Sequence, residues 1–155
     1  MSTRLIPLPG PFDLRRTMVA LGTPALEGAP VTPTEAWRAT STPEGPATLQ
    51  LRLVSGRVEA EAWGSGADWL LERTPDLIGA DDQPEAFDPP PGVVRDLHRR
   101  SGGLRLGKTG RVFEAVMPTV LAQLVTGVES KRSYRRVVAA YGSPAPGPRE
   151  LTVWT

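Results

Sequence analysis

The chain has 155 residues, 23% of them charged and 39% hydrophobic, with a formal net charge of +1. That size and balance fit one ordinary soluble domain or two small ones, and exclude a strongly basic nucleic-acid coat, so any nucleic-acid contact must come from local patches. The absence of cysteine excludes disulfides, zinc fingers and thiol nucleophiles, and fits a reducing cytoplasm.

The opening MSTRLIPLPGPFDLRR lacks the apolar run of a secretory signal. Residues 1–10 read as an extended lead-in held by Pro7 and Pro9. Pro11-Phe12-Asp13 opens a short helix with Leu14, Met18 and Leu21 on one side, and Asp13 complements its dipole. Residues 22–34 are rich in Pro and Gly and read as a loop. Strands follow from Glu35 to Trp63. Trp37 to Thr40 is the first, and Thr42-Pro43-Glu44-Gly45-Pro46 is a turn. Thr48 to Leu53 alternates strictly, as a half-buried strand does. Ser55-Gly56 signals a two-residue hairpin. Arg57 to Trp63 alternates again, with Val58, Ala60 and Ala62 facing one way. Trp37, Trp63 and Trp69 are expected to fill the core between this sheet and its helices.

Residues 67–78 read as a helix carrying Trp69, Leu70, Leu77 and Ile78, with Pro75 expected to divide it. Asp81 and Asp82 follow as its stop. A small antiparallel sheet with helices on one face is an α+β layer. Residues 83–92, with Pro84 and Pro89-Pro90-Pro91, read as a linker. Residues 93–100 form a short helix and 101–110 a glycine-rich connector. Residues 143–155 are a proline-rich tail to which the pattern assigns no fold. The expected division is therefore an α+β unit over 1–82, the linker, a helical unit over 93–142, and the tail.

The most informative stretch is Arg111 to Gly142, which reads as two amphipathic helices joined at Thr126-Gly127. Phe113, Val116, Met117, Val120, Leu121, Leu124, Val125 and Val128 have the spacing of one buried face. Tyr134, Val137, Val138 and Tyr141 repeat it, and Gly142 stands where a C-terminal cap residue would. Glu114, Pro118 and Gln123 interrupt the apolar run, which is too short and polar to cross a bilayer, so no membrane contact is expected.

This helical pair, with Ala122-Gln123-Leu124-Val125-Thr126-Gly127 at its join, resembles the opening of the catalytic domain in the helix-hairpin-helix DNA glycosylases. The branch it resembles is 3-methyladenine DNA glycosylase II, which has a Gln-x-Val-Ser/Thr type signature there. The segments Trp37–Leu49, Glu61–Trp69 and Leu77–Asp82 resemble that family's N-terminal α+β domain, likened to the TATA-binding-protein fold. The resemblance implies double-stranded DNA as partner, base flipping followed by hydrolysis of an N-glycosidic bond, and no cofactor.

Carried over position by position, the resemblance makes Leu124 the wedge that fills the stack, with Gln123 beside it. Leu124 has a second reading as part of the packed stripe. Gln123 has one as a helix-end side chain bonded to backbone. Thr126, with Gly127 after it, is expected to cap the helix starting at Val128, with or without a phosphate at the backbone N–H groups it places. Lys131, Arg132, Arg135 and Arg136 track phosphates or form a solvated face. Arg99, Arg100, Arg105, Lys108 and Arg111 add a basic stretch. Gly102 to Thr109 meets the bare spacing of a phosphate-binding loop, but no apolar strand precedes it. His98, the single histidine, reads as a surface residue, and no metal constellation is present.

The resemblance also implies a Leu-Pro-Gly-x-Gly hairpin and a following catalytic Asp. Pro9-Gly10, Pro91-Gly92 and Pro146-Gly147 do not lead into such a hairpin, and no acidic residue follows Glu150. The chain is thus expected to correspond to the first part of such an enzyme, truncated before the catalytic residue and inactive alone, with apolar helix faces open to self-association. The alternative is a non-enzymatic DNA- or protein-binding module.

Overall fold

The computed structural model describes residues 2–22 and 29–154, Trp154 by its backbone alone. The part of the expected loop at 23–28 lies outside the described residues. The elements run β1 (Ser2–Pro7), α1 (Leu14–Ala20), β2 (Glu35–Thr42), β3 (Gly45–Val54), β4 (Arg57–Gly64), α2 (Ala67–Leu77), a 3-10 turn (Pro84–Ala86), α3 (Val93–Arg100), α4 (Val112–Leu121), α5 (Gly127–Tyr141), β5 (Gly142–Pro144) and β6 (Thr152–Trp154). The protein is α+β, with an antiparallel sheet in the order β1-β4-β3-β2 and a separate β5-β6 pair.

The alternation that marks β3 and β4 in the sequence is what buries them. Leu49, Leu51, Val58, Ala60 and Ala62 form one face with Ile6 and Ala36, and α1 and α2 supply Leu14, Met18, Leu70, Leu71 and Leu77 against it. Ser55 and Gly56 have φ of +50° and +75°, the backbone of a primed two-residue hairpin, and this pairs Val54 with Arg57. The lead-in is a full edge strand: β1 pairs with β4 from Ser2↔Ala62 to Pro7↔Arg57. Its sequence hides this because Thr3, Arg4 and Leu5 are exposed and only Ile6 is buried.

Helix α2 is continuous through Pro75. A proline there cannot donate to the carbonyl of Leu71, four residues back. The Arg4 guanidinium, arriving from β1, donates to that carbonyl at 3.0 Å and to the Glu72 carbonyl at 3.1 Å. The acceptor freed by the proline is therefore satisfied by another element, and the helix does not divide.

Trp37 and Trp63 do not fill the sheet-helix core. Each is one residue out of phase with the core positions Ala36 and Ala62, so the pleat sends both to the opposite face. There they stack at 5.5 Å between centroids with planes 13° apart. Arg149 from the tail lies 5.0 Å over Trp37. The Trp37 indole and the Gln50 amide both donate to Glu35 Oε1, at 2.8 and 2.7 Å. These bonds, Gln50 first, hold the Glu35 carboxyl below its ordinary range. Trp69 is the one of the three that packs against the core.

The tail carries a hairpin of its own. β5 pairs with β6 from Gly142↔Trp154 to Pro144↔Thr152, and Val153 is buried. Gly142 is the C-terminal cap of α5, its N–H donating to the Val138 carbonyl, but its backbone is extended at φ −82° and not left-handed. A Cβ there would lie 2.5 Å from Thr152 Cγ2 and from the Val138 carbonyl, so close packing is what demands glycine.

The connector 101–110 is irregular and is fastened by Arg105, which is buried and absent from the solvated basic stretch. Its guanidinium donates to the carbonyls of Gly79, Ala80 and Asp82 at 3.0 to 3.3 Å, and to that of Pro9. One side chain thus joins the lead-in, the stop after α2 and the connector.

Candidate nucleic-acid interface

Helix α4 ends at Leu121 and α5 starts at Gly127, so the join is a five-residue turn containing Gln123, Leu124 and Val125. Ala122 and Gln123 close the end of α4 by donating to Pro118, Thr119 and Val120 carbonyls. The chain then reverses at Leu124, whose φ is +61° and whose relative exposure is 105%. Left-handed backbone is unusual for a leucine, which gains no local hydrogen bond from it as Asn or Asp does. The packed-stripe reading of Leu124 is excluded in this structure: the side chain stands clear of the protein at the tip of the hairpin. Gln123, next to it, is also exposed.

Much of the face that the periodicity marks for burial in α4 is open, with Met117 and Leu121 half-buried. Val112 and Phe113 are 76% and 66% exposed, and Val116 and Val120 are about half exposed. The one buried residue of the helix is Glu114. It pairs with Arg38 of β2 at 2.7 Å, with side-chain exposures of 2% for Arg38 and 4% for Glu114. Thr40 Oγ1 and the Ser41 N–H donate to its other oxygen. In α5, Ser130, Tyr134 and Val138 are buried along one stripe, while Tyr141 is exposed.

Thr126 is the N-cap of α5 and forms a full capping box. Its hydroxyl accepts from the Glu129 N–H at 3.3 Å, and its own N–H donates to Glu129 Oε2 at 3.0 Å. The first-turn donors left by this box are the N–H groups of Gly127 and Val128. A Cβ on Gly127 would meet nothing within 4 Å, so the fold itself leaves that approach open. The capping carboxylate offsets part of the helix dipole, so attraction for a phosphate rests mainly on the cations downstream.

Those cations are Lys131, Arg132, Arg135 and Arg136, all exposed, which with Val128 and Ala139 line a shallow depression of about 400 Å³ on α5. None of the four is in an ion pair among the described residues. They extend over about 8 Å of helix axis behind the hairpin tip. The other basic stretch does not join them as a unit, because Arg105 is internal.

The phosphate-loop spacing at Gly102–Thr109 has no free cradle. The Leu106 N–H donates to the Asp82 carboxylate at 2.9 Å and the Lys108 N–H to the Asp76 carbonyl at 2.9 Å. His98 meets Phe87 edge-on at 5.3 Å. Among the described residues no three His, Asp or Glu side chains are grouped to hold a metal. No helix of the described residues is long and apolar enough to cross a membrane.

The capping box carries a pH dependence. The Thr126 N–H, then its hydroxyl, hold the Glu129 carboxyl below its ordinary range. A depressed folded-state value contributes stability above the unfolded value of about 4.3, lost as pH falls through the folded one. Amide protection at Glu129 and Ser130 is therefore expected to drop on acidification below that range. Glu129→Gln, which keeps the box without the charge, is expected to flatten the profile.

No family model matches the chain, and no curated protein matches its sequence. Its structure is similar to that of a 3-methyladenine DNA-glycosylase from Archaeoglobus fulgidus, with a TM-score of 0.71 at 16% identity. The match covers 98% of this chain and 56% of that one, so the chain spans little more than half the length of the solved structure. At that identity the likeness is one of fold, and it takes in the sheet and the helical hairpin together.

Proposed function

We infer that this chain engages double-stranded DNA in a glycosylase-like role in DNA repair, using the α4–α5 hairpin to displace a base from the stack. The observation that carries this is Leu124, fully exposed and left-handed at the tip of the turn. A leucine held there adds nothing to the core. It is pre-placed to substitute for a flipped base, and strained backbone of this kind is found where function requires it. Gln123 is beside it to meet an orphaned base edge. Gly127 and Val128 offer N–H groups, and the α5 cations follow the phosphates. The fold similarity and the name of the solved neighbour make an alkylated purine the first substrate to test. The carboxylates of α4 and α5 are already engaged, Glu114 with Arg38 and Glu129 with Thr126. Base extrusion, and not hydrolysis by these two groups, is the step assigned to the hairpin.

The test uses a duplex with 2-aminopurine beside a mismatch, whose fluorescence rises on unstacking. The wild-type chain is expected to raise it, and Leu124→Ala to reduce the unstacked fraction about tenfold while duplex affinity changes by no more than about threefold. With four cations on the phosphates, log K against log salt should have a slope of magnitude up to about 3.6. No fluorescence change on saturation with the wild-type chain rejects the reading.

A second reading is favoured by the open apolar face of α4: a non-enzymatic module that binds protein there, a second copy included. Sedimentation velocity should then show mass rising with concentration, and the pair Val116→Lys and Val120→Lys should return the chain to a monomer. A monomer at every concentration removes self-association from this reading.

A further inference from the structure

Helix α4 is apolar along nearly its whole length, VFEAVMPTVL, yet Val112, Phe113, Val116 and Val120 are exposed, Met117 and Leu121 are only half-buried, and its one fully buried side chain is the carboxylate of Glu114. Its polar link to the sheet is the Glu114 cluster. Arg38 and Thr40 are two residues apart on β2, the edge strand, so both project from the same face. One Glu114 oxygen takes the Arg38 guanidinium at 2.7 Å. The other takes the Thr40 hydroxyl and the Ser41 N–H. Helix α5 is fastened differently, by the buried stripe of Ser130, Tyr134 and Val138 near β5 and β6. The hairpin thus has two anchors, an ion-pair network on β2 and a buried stripe on α5, and Leu124 is at the tip between them.

We propose that the Glu114–Arg38–Thr40 network is the positioning device for the Leu124 wedge, an assignment that rests on the DNA reading above. Apolar contact tolerates sliding, whereas a carboxylate bonded by three donors has a narrow set of acceptable positions. A small displacement at Glu114 is carried along α4 to the turn, ten residues on in sequence. A wedge out of place by about 1 Å loses activity by as much as about a hundredfold while general backbone contacts persist. Arg38, Thr40 and Glu114 act through Leu124 and need not touch DNA.

Because the chain has no cysteine, two introduced ones are the only labelling sites. Spin labels at Ala122→Cys, next to the tip, and Arg57→Cys, on the sheet, report the hairpin position without DNA. Removing one partner alone leaves a buried charge and risks unfolding, so the principal variant is the double change Arg38→Met with Glu114→Met, which replaces the pair by apolar volume. Thr40→Val is the milder companion. The double variant is expected to fold, to broaden the label distance distribution, and to cut 2-aminopurine unstacking about tenfold with duplex affinity held within about threefold. Thr40→Val should fall between it and the parent. An unchanged distance distribution overturns the proposal, and so does a broadened one with full unstacking. If the parent protein unstacks nothing, the DNA reading fails. The DNA-free distances then still show whether the network fixes the hairpin.

Discussion

Replacing Arg105 by methionine is expected to lower the unfolding free energy by about 3 to 4 kcal/mol, a large effect for a single change outside the apolar core. The guanidinium is buried and donates to carbonyls of Gly79, Ala80, Asp82 and Pro9, with no carboxylate in ion-pair contact among the described residues. Two effects oppose each other. Removing a buried cation relieves its desolvation, which for a paired charge often makes an apolar replacement neutral. That compensation works when both partners are replaced together. Here the partners are main-chain carbonyls, which no substitution removes, so the variant leaves several acceptors wholly or partly shut off from water. Hydrogen bonds to a charged donor contribute about 1.5 to 3 kcal/mol each, and relaxation toward solvent recovers part of that sum. Arg105→Lys is expected to restore less than half of the loss, because a single ammonium cannot reach along the planar fork. Denaturant midpoints for the three proteins check this, and a methionine variant within about 0.5 kcal/mol of the parent rejects the clamp.

What was legible in the chain follows from how far each signal reaches. The alternation in β3 and β4 and the Ser55-Gly56 turn are local, and the strands, register and hairpin follow from them. Asp13 as the cap of α1 and Thr126 as the cap of α5 are equally local. The errors lie where a distant partner decides. The carbonyl that Pro75 leaves without a helical donor is satisfied by Arg4 from another strand. Arg105 looks like one more basic residue until three segments converge on it. The face of Trp37 and Trp63 follows from phase, since each is offset by one from an alanine of the core face, whereas side-chain bulk alone points to the core. In α4 the periodicity marks a helix but runs past its end at Leu121 to Leu124 and Val125 of the turn, the outward face is set by what surrounds it, and Glu114 gives no local sign of its burial. At the hairpin the sequence supplied the residues Gln123, Leu124, Thr126 and Gly127. It could not supply the positive φ that sets Leu124 apart from a stripe.

That positive φ makes a prediction in which stability and function move in opposite directions. Leu124→Gly is expected to stabilise the free protein by about 0.5 to 1 kcal/mol and to abolish base unstacking. A leucine in the left-handed region carries about 1 to 2 kcal/mol of steric strain. Glycine removes that strain but adds about 0.5 to 1 kcal/mol of unfolded-chain entropy, so the net gain is small and positive. Nothing is lost in packing, because the leucine side chain is fully exposed. A position kept for the fold would show the reverse, losing stability when its side chain is deleted. Leu124→Asn separates the two contributions: asparagine accepts the left-handed backbone but presents a polar side chain, so it should preserve stability and still fail to unstack. The paired measurement is a thermal midpoint and 2-aminopurine fluorescence on the same preparations. If glycine destabilises the chain, the leucine has a structural role that its exposure does not show. If glycine leaves unstacking intact, the hairpin tip is not the wedge, and the open face of α4 becomes the feature that any account of this protein must explain.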